Sequence, residues 1–266
     1  MQQLSQPMAD SAIMFRRSLV RMRRYPSMTI MLVAFPLLFL LLFVYVFGGT
    51  LGAGLPGGTA GADGRSDYLA YVTPALVLMA AASAAQGTAI SVAMDRTEGI
   101  VARFRTMPIS PASILGGHVL GSLVQSLLGM GTILLVAVLL GFRPAADPAQ
   151  WLALLLLLTL VAAALTWLTV ALGLLSRSVE TASNTPTFLM ILPFLSSGFV
   201  PTESMPAGLS WFAEHQPFTP MIEGTRDLLA GQWDWNTLGL AAGWCVLIMI
   251  VGYLWSRSLF RRPVVQ

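Results

Sequence analysis

The sequence predicts an all-α integral membrane protein with six transmembrane helices and both termini in the cytoplasm. Three observations carry that prediction. Of the 266 residues, 56% are hydrophobic and only 10% are charged, whereas a soluble domain carries about 25% charged residues. Six apolar runs, at 28–47, 69–93, 112–140, 151–175, 182–199 and 237–255, approach or exceed the length needed to cross a bilayer core. The charges are also lopsided. With the N-terminus inside, Arg16, Arg17, Arg21, Arg23, Arg24, Arg96, Arg103, Arg105, Arg177, Arg257, Arg261 and Arg262 are cytoplasmic, while Arg65, Arg143 and Arg226 are outside. Eight of the 12 acids fall outside, as the positive-inside rule allows.

Taken in order, residues 1–10 are polar and predicted to be disordered, and 11–262 form one transmembrane domain. Residues 11–25 read as an interfacial helix. Met14, Phe15, Leu19 and Met22 share one side, and Arg16, Arg17, Arg21, Arg23 and Arg24 fan over the other, toward lipid phosphates. The run at 28–47 is too long for the core of a signal peptide and carries Pro36 as a kink. The loop at 48–64 holds eight glycines and is expected to be flexible and irregular. The third run exceeds a bilayer thickness, so it must tilt or protrude. A link with Arg143, Pro144, Asp147 and Pro148 precedes the fourth run, and Ser176, Arg177, Ser178 and Glu180 return the chain to the fifth. Residues 200–235 are too polar to span and too apolar for water. They read as one or two short extracellular re-entrant helices ringed by Trp211, Trp233 and Trp235. The sixth run ends in arginines, and 263–266 form a tail.

The rest of the chain is organised around 94–110, MDRTEGIVARFRTMPIS. Burying its five charges, Asp95, Arg96, Glu98, Arg103 and Arg105, would cost about 12–18 kcal/mol. The segment therefore belongs in water or at the membrane surface, on the cytoplasmic side. Asp95 as N-cap and Glu98 three residues on predict a short helix over 95–106. Ile100, Val101, Phe104 and Met107 share its apolar side, and Pro108 stops it. Two readings stay open on the residues alone: a solvated loop that orients the spans, or a docking element gripped by a soluble partner.

Several chemistries are excluded. All 15 basic residues are Arg, so the chain cannot supply the lysine of a phosphate-binding P-loop. The single Cys245 and the two histidines cannot build a zinc site, and nothing points to nucleic acid. No span core holds an acid or Arg, which leaves His118 as the one ionisable relay candidate. It reads either as a hydrogen-bonded interfacial residue or as a proton relay. Ser122 and Ser126 could share a helix side with His118, but a hydrolase would need an acid partner that is missing. Gln86 and Gln125 are amides within spans, expected to bond to neighbouring helices. The chain is not expected to be an enzyme by itself. Energy would arrive through a cytoplasmic partner.

Two stretches resemble one family. Residues 98–110, EGIVARFRTMPIS, are similar to the coupling segment of the type-2 ABC exporter permeases, in their daunorubicin-resistance branch. Residues 192–206, LPFLSSGFVPTESMP, with 212–226, FAEHQPFTPMIEGTR, resemble that family's stretch around its extracellular re-entrant helices. There the residues in question are Pro201, Glu203, Met205, Pro206, Pro217, Pro220 and Arg226.

The resemblance implies a multi-pass permease in a bacterial inner or plasma membrane. Its partners would be two ABC ATPase subunits and a second permease copy, identical or related. ATP and magnesium would sit on the ATPase and no cofactor on this chain. Residues 11–25 would match the family's elbow helix and 95–106 its coupling helix, which sits in a groove of the ATPase. Asp95, Arg96, Glu98, Gly99, Ile100, Arg103, Phe104, Arg105, Met107 and Pro108 would make that contact, with Ile100, Phe104 and Met107 as anchors. The cargo would be a hydrophobic or amphipathic drug, natural product or lipid. Against this stand a stand-alone secondary transporter or lipid-handling membrane enzyme, and a scaffold without flux.

Overall fold

The computed structural model describes residues 26–55, 62–97 and 111–261. The N-terminal ten residues, the elbow at 11–25, the stretch 98–110 and the tail lie outside the described residues. With them lie all five elbow arginines, and Glu98, Gly99, Ile100, Arg103, Phe104, Arg105, Met107 and Pro108.

Every regular element among the described residues is helical. The chain runs α1 (Pro26–Leu42), a π turn (Phe43–Phe47), α2 (Gly48–Ala53), α3 (Ala62–Thr97), α4 (Pro111–Leu139), α5 (Pro148–Leu175), α6 (Val179–Asn184), α7 (Thr187–Ile191), 3₁₀ turns at Leu192–Leu195 and Thr202–Ser204, α8 (Ala207–His215), α9 (Phe218–Leu229) and α10 (Trp235–Arg261). Among them are five helical stretches long and apolar enough to cross a membrane: Leu32–Ala53, Asp63–Thr97, Val119–Leu139, Pro148–Leu175 and Trp235–Leu259.

α3 is the axis of the bundle. It packs against α1, α2, α4, α5, α6, α7 and α9, and nearly every side chain from Tyr68 to Ala93 is buried. Its sequence explains this position. The run Ala80–Ala85 is small enough for neighbours to approach closely, which is how helices associate where no hydrophobic force separates protein from lipid. At Gly173 of α5, an added Cβ would lie 2.6 Å from the Ala89 carbonyl oxygen, so only glycine admits this α3–α5 approach. Leucine and aromatic faces of α1, α5 and α10 point outward, with Leu38, Leu156 and Leu240 each at least 60% exposed, as lipid-facing residues are. In the C-terminal third of α3 a chain of hydroxyls joins three helices: Thr88 donates to Ser122 of α4 at 2.6 Å, and Ser122 lies 3.0 Å from Thr166 of α5. Ser122 is thus spent on interhelical bonding rather than poised as a nucleophile.

Three sequence expectations are corrected. Half of the glycine-rich loop is not irregular, because Gly48–Ala53 continues as helix. Its glycines serve close packing: a Cβ on Gly52 would fall 1.9 Å from the Gly64 oxygen. Asp95 does not open a new helix, since it and Arg96 lie in the last turns of α3, which runs to Thr97. Residues 182–199 do not form one helix. Pro186 and Pro193 lack the N–H needed to continue a helix, and the chain breaks into α6, α7, a 3₁₀ turn and a bend at Ser196–Gly198. By contrast, the boundaries of the third and fourth runs agree closely with α4 and α5. α5 starts slightly early because Asp147 and Gln150 form a reciprocal capping box.

Candidate functional site

Irregular backbone inside an apolar bundle must have its polar groups served from elsewhere, because lipid offers no partners. The broken stretch 192–199 answers that requirement carbonyl by carbonyl. The Leu192 and Leu195 oxygens accept from the amide of Gln216, at 3.1 and 2.7 Å. The Pro193 oxygen accepts from the Ser196 hydroxyl at 2.5 Å, and the Gly198 N–H donates back to that hydroxyl at 3.1 Å. The Ser197 oxygen takes two donors, the Tyr71 hydroxyl and the Arg226 guanidinium, both at 2.8 Å. The Phe199 oxygen accepts from the Tyr68 hydroxyl at 3.2 Å.

Each donor is placed by a regular element. Tyr68 and Tyr71 stand three residues apart on α3, so both project from one side toward the turn. Arg226 belongs to α9, which packs on α3, α5 and α10 with Phe218, Met221 and Ile222 buried beneath it. Its guanidinium lies 4.0 Å from the Tyr71 ring centroid and donates to the Tyr71 carbonyl at 3.3 Å. Burial pulls the Arg226 pKa down, while Tyr71, Glu223 and Asp227 pull the other way. Gly198 lets the turn seat directly on α3, because a Cβ there would lie 2.6 Å from that of Ala75.

At the other end of α3, Arg96 donates to the Leu174 oxygen and, at 3.2 Å, to the Ser176 oxygen. It thereby occupies the last carbonyls of α5, as a cation at a helix C-terminus should. Of the residues expected in the coupling segment, then, Asp95 and Arg96 are seen. Asp95 is buried, and Arg96 is engaged with the chain's own fourth long helix. Between the two ends, Gln86 donates to the Ser183 oxygen of α6 at 2.6 Å, the interhelical role expected for it.

Of the residues expected in the stretch after the fifth run, Arg226 is the one brought into the polar cluster. Pro217 and Pro220 start α9, with Pro220 buried. Pro201, Glu203, Met205 and Pro206 surround a 3₁₀ turn and the start of α8, away from the cluster. Sequence reasoning missed Tyr68, Tyr71, Ser196 and Gln216. The signal for the acceptor side was there: a proline and Ser-Ser-Gly within an apolar run mark backbone that needs outside donors.

An axial helix with a charged exit, a helical shell facing outward and a discontinuous segment threaded through the bundle define a polytopic membrane protein. Residues 11–230 match the family model for the ABC-2 type transporter, and the chain belongs to that family. It is similar to "Daunorubicin resistance ABC transporter permease protein DrrB1" of Streptomyces coeruleorubidus, 29% identical over 222 residues, covering 82% of this chain and 75% of the relative. It is also similar to "Probable doxorubicin resistance ABC transporter permease protein DrrC" of Mycobacterium tuberculosis, 26% identical over 192 residues, covering 71% of this chain and 64% of that protein. The chain is a multi-pass permease subunit of an ABC exporter in a bacterial cell membrane. Membership of the family carries association with an ABC ATPase and a dimeric arrangement of permeases.

Proposed function

We propose that the chain crosses the membrane six times with both termini cytoplasmic, its fifth crossing being the broken segment, and that it exports hydrophobic or amphipathic drug-like molecules. The two relatives are named for daunorubicin and doxorubicin resistance, which makes polycyclic aromatic amines the first cargo to test. The observation that carries the six-crossing reading is the course of 174–199 along α3. Its inner end meets Arg96, its middle meets Gln86 and its outer end meets Tyr71 and Tyr68. At 1.5 Å per residue, the helix between positions 68 and 96 is about 42 Å long, more than the ~30 Å hydrocarbon core. A segment that follows α3 over that length passes from one face of the membrane to the other.

In this reading two permeases, identical or related, sit on two ATPase subunits that bind the ATP and magnesium. The link that follows Thr97 forms the contact, with Ile100, Phe104 and Met107 as anchors and Glu98, Arg103 and Arg105 as polar partners. Residues 11–25 lie in the headgroup plane, and α8 and α9 form the re-entrant pair on the outer side. Closure of the ATPases pushes the link that follows Thr97, and α3 and α4 carry the displacement.

The test is co-expression with an ABC ATPase subunit, purification through the permease, and ATP-dependent doxorubicin uptake into inverted vesicles. Phe104→Asp and Glu98→Arg should abolish ATPase co-purification and uptake while membrane insertion persists. Co-purification at the parent level with both variants would overturn the assigned contact. A cysteine at position 103 labelled only from the outer face would overturn the topology.

A further inference from the structure

We propose that Tyr68, Tyr71 and Arg226 form a releasable clamp on the 196–199 turn, and that its opening is the movement that lets cargo leave at the end of the bundle remote from the ATPase. The inference rests on the permease reading above and adds to it the residues that hold this end closed.

Three features distinguish the turn from a fixed structural joint. First, its donors come from different elements. Tyr68 and Tyr71 ride on α3 and Arg226 rides on α9, so the turn is held only while α3 and α9 keep their present spacing. A small shift of α3 removes donors from the Ser197 and Phe199 oxygens together, and one of α9 removes the guanidinium from the Ser197 oxygen.

Second, the cluster has unused hydrogen-bonding capacity. Three buried side-chain atoms around this one turn, Ser197 Oγ, Gln216 Oε1 and Arg226 Nε, have no hydrogen-bond partner. Buried polar groups are normally satisfied, and an arrangement that leaves several unmade is poised for another that makes them. Third, the Arg226 guanidinium lies over the Tyr71 ring face, 4.0 Å from its centroid. A cation–π attraction persists out to about 6 Å from the centroid, whereas the bond to the Ser197 oxygen is lost well before that. The guanidinium can therefore release the turn without losing its attraction to the ring.

The clamp is also placed to report on the opposite end. α3 is one helix of 36 residues from Ala62 to Thr97, with the clamp near its start and Arg96 near its finish. A displacement imposed beyond Thr97 reaches Tyr71 through one buried rod that its neighbours pack on throughout.

The test places a single reporter thiol in the turn. Ser197→Cys is introduced with Cys245→Ala, which removes the chain's one native thiol. The Ser197 hydroxyl makes no hydrogen bond, so the reporter leaves the clamp's own bonds intact. The full permease–ATPase complex is reconstituted, and the maleimide labelling rate at position 197 is measured without nucleotide and after vanadate trapping. Labelling is expected to be slow without nucleotide and about tenfold faster when trapped, the change that about 1.4 kcal/mol of lost closure would give. With Tyr71→Phe or Arg226→Lys added, labelling should be fast in both states. Slow labelling in both states of a complex that hydrolyses ATP and retains its ATPase would overturn the clamp alone. Failure of the chain to assemble with any ABC ATPase would overturn the permease reading, and the clamp with it.

Discussion

The two ends of α3 solve the same problem by different means. At its C-terminal end one guanidinium, that of Arg96, covers the closing carbonyls of α5, a regular helix that ends there. At its N-terminal end two tyrosines, an arginine and a glutamine serve four carbonyls of a segment broken into a short 3₁₀ turn and an irregular turn. The difference teaches where polar side chains are needed in an apolar bundle. They follow broken backbone rather than surface, and their number scales with how much of the backbone is broken.

The comparison is broken most severely at Arg226. Arg226→Met keeps the length of the side chain but removes charge-assisted donors from the Ser197 and Tyr71 oxygens. A loss of about 2–3 kcal/mol is expected, read as a lowered Tm of the detergent-purified protein, together with lost drug uptake. A Tm equal to that of the parent would show that the Tyr71 hydroxyl alone holds the turn. At the other end Arg96→Gln should cost less, about 1–1.5 kcal/mol, because its site is only half-buried and water can replace part of what is lost. A larger Tm loss for Arg96→Gln than for Arg226→Met would invert the comparison.

A site between the two ends of α3 provides the control. Thr88→Val removes the donor to Ser122 but disturbs no broken backbone. Interhelical hydrogen bonds of this kind in membrane proteins average about 0.6 kcal/mol, so the variant should unfold within a few degrees of the parent and still transport. Uptake as low as that of Arg226→Met would show that any buried polar contact on α3 is critical, and the special status of the turn would fall.

How much of this was visible beforehand follows from the range of each interaction. The long helices were legible because hydropathy is a local property of twenty or so neighbouring residues, and α4 and α5 were located closely on that basis. The break in the fifth run was written in Pro186, Pro193 and Ser196–Gly198, but averaging over apolar neighbours such as Leu189, Ile191 and Phe194 concealed it. Tyr68 and Tyr71 carried no legible sign, since the carbonyls they serve lie 131 and 126 residues away. Arg226 stood out as one of three arginines that the charge pattern assigns to the outer side, yet its role depends on a partner in another element. The capping box at Asp147 and Gln150 was local and legible in Asp-Pro-Ala-Gln, and went unread because the apolar run appeared to start at Trp151.

Charge supplies the last and smallest test, at an exposed helix cap away from both ends of α3. Asp234, at the N-terminus of α10, accepts from the Thr237 hydroxyl at 2.7 Å and from the Asn236 N–H at 2.9 Å. These bonds, the Thr237 hydroxyl first, hold its carboxyl below the usual aspartate range. A group with a depressed folded pKa contributes its stability above the unfolded value, about 3.9, and loses it as pH falls through the folded value. The Tm difference between the parent and Asp234→Asn should therefore be constant at neutral pH and shrink toward pH 3. A difference for Asp234→Asn that is unchanged across the range would show that the cap works equally well without its charge, as an asparagine N-cap can.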